Sequence, residues 1–183
     1  MEEAREALEG NWSVAVGATA VFLLVSFVAG MVPLGGLIVG GPMAFGVATF
    51  FLALSRKQVP ILNDLFKGFT YFLNTLVAVL LVALYTFLWM LLLVIPGIIA
   101  AISYSQVFFI LAENPSMSAS DAIAKSKKMM DGYKWKYFCL GFRFIGWMIL
   151  SAFTMGIGLL WLVPYMQTTL AKFHDDIKER NIT

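Results

Sequence analysis

The sequence predicts an all-α membrane protein: a six-span helical bundle of three hairpins with short interfacial amphipathic helices and both termini on the cytoplasmic side. Three observations predict it. Hydrophobic residues make up 60% of the 183 residues and charged ones only 13%, about half the charged share of a soluble domain, so polar groups could not cover a water-exposed surface. No charged residue occurs between Glu9 and Arg56, nor between Lys67 and Glu113, and each interval accommodates two spans of about 20 residues with a turn. A third apolar interval, Tyr137 to Ala171, is interrupted only by Arg143. One integral-membrane domain, 1–183, is therefore expected, with hairpins at 11–55, 69–112 and 135–173. The spans fall near 12–30, 37–55, 71–95, 98–112, 135–153 and 159–173.

Taken in order, the chain opens Met1-Glu2-Glu3-Ala4-Arg5-Glu6. It is acidic where a secretory signal peptide is basic, so a retained first helix is expected. Each hairpin begins alike: Leu8-Glu9-Gly10-Asn11-Trp12, Phe66-Lys67-Gly68-Phe69-Thr70-Tyr71 and Met130-Asp131-Gly132-Tyr133-Lys134-Trp135. Glycine ends a helix by accepting a left-handed conformation, and Trp and Tyr favour the headgroup level, so each lead-in can lie on the inner surface and turn into a span. The turns Met31-Val32-Pro33-Leu34-Gly35-Gly36, Ile95-Pro96-Gly97 and Thr154-Met155-Gly156-Ile157-Gly158 carry no charge. The other face holds Arg56, Lys57, Lys67, Lys125, Lys127, Lys128, Lys134, Lys136, Lys172, Lys178 and Arg180. Positive residues in short loops stay cytoplasmic, which sets the orientation. A re-entrant 98–112 segment would put the next basic loop outside, against that rule.

After Ala112-Glu113-Asn114-Pro115, the run Ser118-Ala119-Ser120-Asp121 has the capping-box pattern, and Gly132 closes a surface helix over 118–131. Ala119, Ala122, Ile123, Ser126 and Met130 share one face at helical spacing, so this helix is expected to lie flat on lipid. Lys125, Lys127, Lys128, Lys134 and Lys136 are the candidate contacts to lipid headgroups, which would be anionic. The same lysines could equally act only to set topology during insertion.

The first and third hairpins match further. Gly10 precedes Pro42 by the interval that separates Gly132 from Pro164, and Gly36-Leu37-Ile38-Val39-Gly40-Gly41-Pro42 aligns without gaps on Gly158-Leu159-Leu160-Trp161-Leu162-Val163-Pro164. This reads as a weak parallel repeat, against the alternative of chance agreement among glycines in an apolar chain. Gly36, Gly40, Gly41, Pro42, Gly158 and Pro164 are thus candidates for close helix packing or for helix breaks that line a substrate path.

Chemistry-bearing residues are few. Arg143 is the sole ionisable side chain well inside an expected span and so a candidate site. It either snorkels back to the inner headgroups or faces the bundle and meets Gln106, Tyr104 or Gln167. His174 is the single histidine and is read as a solvated tail residue. Cys139 is the single cysteine, which excludes an intramolecular disulfide; it is read as a small buried hydrophobe. Intramembrane aspartyl, serine–histidine and metal chemistry each lack a member, so no cofactor and no enzymatic activity are expected.

The strings Ile95-Pro96-Gly97-Ile98-Ile99, Ser103-Tyr104-Ser105, Phe109-Ile110-Leu111-Ala112-Glu113-Asn114-Pro115, Lys134-Trp135-Lys136, Phe138-Cys139-Leu140, Phe144-Ile145-Gly146-Trp147 and 156–165 (GIGLLWLVPY), with Arg5-Glu6-Ala7-Leu8 and Gly41-Pro42, carry a resemblance. Nearly the whole chain resembles the bacterial integral-membrane family catalogued as domain of unknown function 975, found mainly in Gram-positive bacteria. That family is distantly similar to the membrane region attached to some glycerophosphodiester phosphodiesterases, which implies at most a lipid-facing accessory role. Arg143 stands where the family leads one to expect a small or polar residue. The expected function is non-enzymatic contact, in the cytoplasmic membrane, with anionic lipids, partner membrane proteins or further copies of the chain. No nucleic acid is expected, and the alternative is a small transporter or channel subunit.

Overall fold

The computed structural model describes residues 2–33, 35–154 and 156–180, with the side chains of 2, 3 and 152 excepted. Leu34 and Met155, named in two expected turns, and Met1 lie outside the described residues. Among those described there is no strand. The helices are α1 (Glu2–Leu8), α2 (Trp12–Gly30), α3 (Gly35–Ser55), a 3₁₀ helix (Leu62–Phe69), α4 (Phe72–Leu92), α5 (Val94–Ser103), α6 (Val107–Glu113), α7 (Ala119–Met129), α8 (Lys134–Phe153) and α9 (Leu159–Arg180). Among the described residues, four segments are long and apolar enough to cross a membrane: α2, α3, α4 and Val94–Glu113, which joins α5 to α6.

α3 is the centre of the bundle and packs on α1, α2, the 3₁₀ helix, α4, α6 and α9. Its small residues set the spacing. A Cβ on Gly41 would overlap the Thr75 carbonyl, one on Gly46 the Leu65 carbonyl, and one on Gly68 the Pro42 carbonyl. Gly46 and Gly68 thus let α3 and the 3₁₀ helix meet backbone to backbone, where dispersion contacts replace side-chain interdigitation. Gly10 and Gly132 adopt the left-handed conformation expected at their helix ends, φ 84° and 78°. Gly68 does not; its role is this close approach.

Around α3 the outer helices are thinly covered. α2 buries only Ala15, Ala18 and Thr19, and α4 only Thr75 and Ala78. Among its described side chains α8 buries Phe144 and Ser151. Leu84, Phe87, Leu91, Leu92, Trp147, Leu150 and Phe153 are exposed, an apolar surface better suited to lipid than to water. Cys139 belongs to it: it is exposed on α8 rather than buried, because that apolar run faces outward.

Three further expectations change. The turn between α4 and α5 is Leu93, extended at φ −162° and ψ 145°, not 95–97. Pro96 instead sits in the first turn of α5, where its missing N–H leaves no bond unmade. Helices α3 and α9 run through Pro42 and Pro164 without breaking, and both prolines are buried. Finally, the apolar face of the amphipathic helix α7 is not free for lipid. Ala119, Ala122, Ile123, Ser126 and Met129 are buried against α6 and α4, and Asn74 of α4 donates to the Met117 carbonyl at 2.8 Å. Its apolar face is used within the protein. The N-terminus forms as expected, with Ser118 Oγ accepting from the Asp121 N–H at 3.1 Å.

Candidate functional site

The ends of α3, α6 and α9 converge on one carboxylate. Glu113, the last residue of α6, is 8% exposed at its side chain; it accepts from Arg56 and, at 2.7 Å, from Lys178. Arg56 follows α3 and also donates to Asp175 at 2.7 Å, while Ser55 Oγ reaches the same carboxylate at 3.3 Å. Hydrogen bonding to Asp175 raises the Arg56 pKa; burial opposes this and Glu113 adds to it. The guanidinium is therefore held charged. A second pair, Lys136 with Asp176 at 2.7 Å, ties α8 to α9 and is extended by Arg180 at 2.8 Å. Lys136 first, then Arg180, holds the Asp176 carboxyl below the usual aspartate range.

Beneath the ion cluster the segment that joins α5 to α6 leaves the helical path at Tyr104-Ser105-Gln106. Freed backbone groups at such a break must find partners. Ser126 of α7 supplies them, donating to the Ser103 carbonyl at 2.7 Å and accepting from the Gln106 N–H at 3.3 Å. Gln106 is fully buried; its amide nitrogen donates to Ser105 Oγ at 3.0 Å and its oxygen faces His174 Nδ1 at 3.1 Å. His174 is 0% exposed and stacks on Phe109 with ring centroids 5.3 Å apart. The solvated-tail expectation is thus corrected: α9 continues to Arg180 and turns this residue inward. Nδ1 donates to Gln106, which leaves Nε2 without a hydrogen bond, 3.6 Å from Glu113 Oε2.

The predicted intramembrane site separates into three places. Gln106 and Tyr104 are buried at the helix break. Gln167 lines a cavity of about 320 Å³ between α2, α3 and α9, together with Ser26, Ser105 and Tyr137. Arg143, exposed on α8, lines a different groove with Arg5 and Trp12, so it meets none of the three. Gly36 and Gly40 face the 320 Å³ cavity, and a Cβ on either would touch nothing within 4 Å; they are not a packing face. Gly158 lies close to the hydroxyls of Ser151 and Thr154 in the α8–α9 connection, its N–H donating to Thr154 Oγ1 at 3.0 Å. Lys125, Lys127 and Lys128 are exposed on α7, Lys134 is half-buried and Lys136 is engaged by Asp176.

Residues 90–181 match the model of the family described as Protein of unknown function (DUF975). The chain belongs to this family. The match runs from the end of α4 to the end of α9 and so includes Glu113, the helix break, α7 and His174, while Arg5 and Arg56 precede it. No curated protein and no solved structure matches the chain.

In chemical terms the family region contributes an anionic centre, Glu113, and the N-terminal half contributes one of its cations. The arrangement works as an electrostatic clamp on three helix ends. Sequence reasoning missed it. Glu113 and Arg56 are 57 residues apart, and a charge at a span end carries the same signal whether it faces headgroups or another helix. The break at 104–106 gave no warning either, since it contains neither Gly nor Pro.

Proposed function

We propose that this is a non-enzymatic, cofactor-free protein of the bacterial cytoplasmic membrane. It crosses the bilayer six times with both termini on the cytoplasmic side, and it acts through contact with lipids or partner membrane proteins. The observation that carries the reading is the separation of surfaces. Ion pairs gather where α3, α6 and α9 end, while the flanks of α4 and α8 present exposed Phe87, Leu91, Trp147, Leu150 and Phe153. Glu113, Arg56, Asp175 and Lys178 are engaged with one another, and the flanks of α4 and α8 are apolar. Arg56 and Lys178 lie at the ion-pair end and Lys57 follows Arg56, which supports its cytoplasmic placement by the positive-inside rule.

A second reading, a small transporter or channel subunit, has one observation in its favour: the 320 Å³ cavity against Gly36 and Gly40. Its lining is mostly apolar, and neither Pro42, Pro164 nor Arg143 belongs to it, which favours contact over transport. Filling it separates the two. Leucine at Gly40 occupies open space, so a contact protein keeps its cellular phenotype with Gly40→Leu, whereas a carrier using the cavity loses it. Photoreactive residues at Leu91 and Leu150 should form adducts with lipid or membrane proteins in intact cells. Absence of both kinds of adduct would remove the contact reading.

A further inference from the structure

The groove that holds Arg143 has a volume of about 580 Å³ and lies between α1, the start of α2, α8 and α9. One end carries Arg5, Trp12 and Arg143; the other is closed by Thr154 and Gly158. Both arginines are exposed, and neither forms a salt bridge among the described residues. Two guanidinium groups on different helices beside the same apolar groove favour an anion between them, which each can hold by charge-assisted hydrogen bonds. Depth fits a headgroup. The Arg143 Cα lies about 10 Å along α8 from Lys136, and a side chain that reaches back toward Arg5 and Trp12 brings its charge near the headgroup level.

The rest of the groove is apolar and of the right length. Trp147, Leu150 and Trp161 are 59%, 57% and 54% exposed and line it. Ser151 and Thr154 direct their hydroxyls to the carbonyls of Trp147 and Ser151, so they present carbon to an occupant. From Arg143 to Thr154 the helix rises about 16 Å, roughly half the ~30 Å hydrocarbon core and so about one acyl chain. We propose that this groove binds one anionic phospholipid, its phosphate held by Arg5 and Arg143 and an acyl chain laid along Trp147, Leu150 and Trp161. The proposal rests on the lipid-contact reading and gives it a site and a ligand class.

The test uses the full chain purified in neutral detergent, titrated with phosphatidylglycerol or phosphatidylcholine of identical chains and read by native mass spectrometry. The wild type should retain one phosphatidylglycerol in preference to phosphatidylcholine. Each basic residue beside an anionic headgroup is worth about fivefold, so the Arg5→Gln/Arg143→Gln variant should bind phosphatidylglycerol about 30-fold more weakly. The Arg5→Lys/Arg143→Lys variant should retain the preference, and Lys125→Gln/Lys127→Gln/Lys128→Gln should leave it unchanged. Unchanged helical circular dichroism and elution volume establish that the variants are folded. If the wild type retains neither lipid, the groove proposal falls, while the contact reading is decided separately by the adducts at Leu91 and Leu150. If it retains phosphatidylglycerol and the double glutamine variant does so equally, or if the α7 lysine variant is the one that loses it, only the groove assignment falls. Displacement by glycerol phosphate at equal concentration would make it a site for soluble anions, and chain dimerisation through Trp147 would make it a self-contact; either overturns the lipid.

Discussion

Glu113 shows how much one side chain can decide in an apolar protein. With Arg56 and Lys178 about it, its removal leaves two cations facing one another. Glu113→Ala should lower stability by about 2–3 kcal/mol, below the usual cost of unpairing a buried charge because Arg56 and Lys178 are 35% and 42% exposed. Thermal unfolding in detergent would measure it. His174→Ala should also destabilise, since it leaves the Gln106 carbonyl oxygen unmet and the space beside Phe109 empty. A loss of function in that variant therefore reports folding before it reports chemistry, and unchanged unfolding would contradict the buried network. The histidine's position was not legible in the sequence: His174-Asp175-Asp176 is a polar run, and only the length of α9 and its contact with α6 turn one of the three inward.

Helices in this chain are joined by two different devices. The α3–3₁₀ contact depends on missing side chains, so Gly46→Ala or Gly68→Ala should separate the pair and raise amide exchange over 62–69. Gly40→Ala should change nothing there, because its Cβ enters open space. Equal effects at Gly40 and Gly46 would refute this account. The α8–α9 contact adds a charge pair, Lys136 with Asp176, to the ring contacts of Tyr137 with Phe173 and Phe144 with Tyr165. Since Lys136 and Arg180 depress the Asp176 pKa, the pair contributes at neutral pH; the contribution is lost as pH falls below the free aspartate value of about 3.9 and through the folded one. Exchange over 174–180, corrected for intrinsic rates, should rise below about pH 4 and should already be raised at neutral pH in Asp176→Asn. Helix existence was legible from the charge-free intervals and from the Ser118 cap. Which glycines matter was not, because Gly40 and Gly46 are identical in sequence terms and differ only in what stands opposite.

For the whole molecule, the proposed six-crossing arrangement predicts which cysteines meet a membrane-impermeant reagent in intact cells. In a Cys139→Ala background, Val32→Cys, Leu93→Cys and Ile157→Cys should be labelled, at sites 59%, 65% and 63% exposed. Lys57→Cys, Lys127→Cys and Lys178→Cys should be protected until the cells are opened. Labelling of Lys127→Cys from outside would overturn the arrangement. The parallel repeat also bears on this scale. α2–α3 and α8–α9 have similar bounds about their prolines, and the two second helices, α3 and α9, pack on each other.

By itself the sequence determined what the solvent must be and where the helices lie. Composition and charge-free length depend on transfer from water to lipid, which is a sum over residues and needs no knowledge of neighbours. The family, too, was legible in strings such as Ile95-Pro96-Gly97 and Lys134-Trp135-Lys136. Only the tertiary structure decided which polar groups meet. It placed the apolar face of α7 on α4 and α6, brought Arg56 to Glu113, and set Arg143 beside the groove of Arg5 instead of at Gln106. An apolar helix face has the same composition whether protein or lipid covers it, so pattern cannot distinguish them. The pairing of helices, set by small residues and by a few charges far apart in the chain, does.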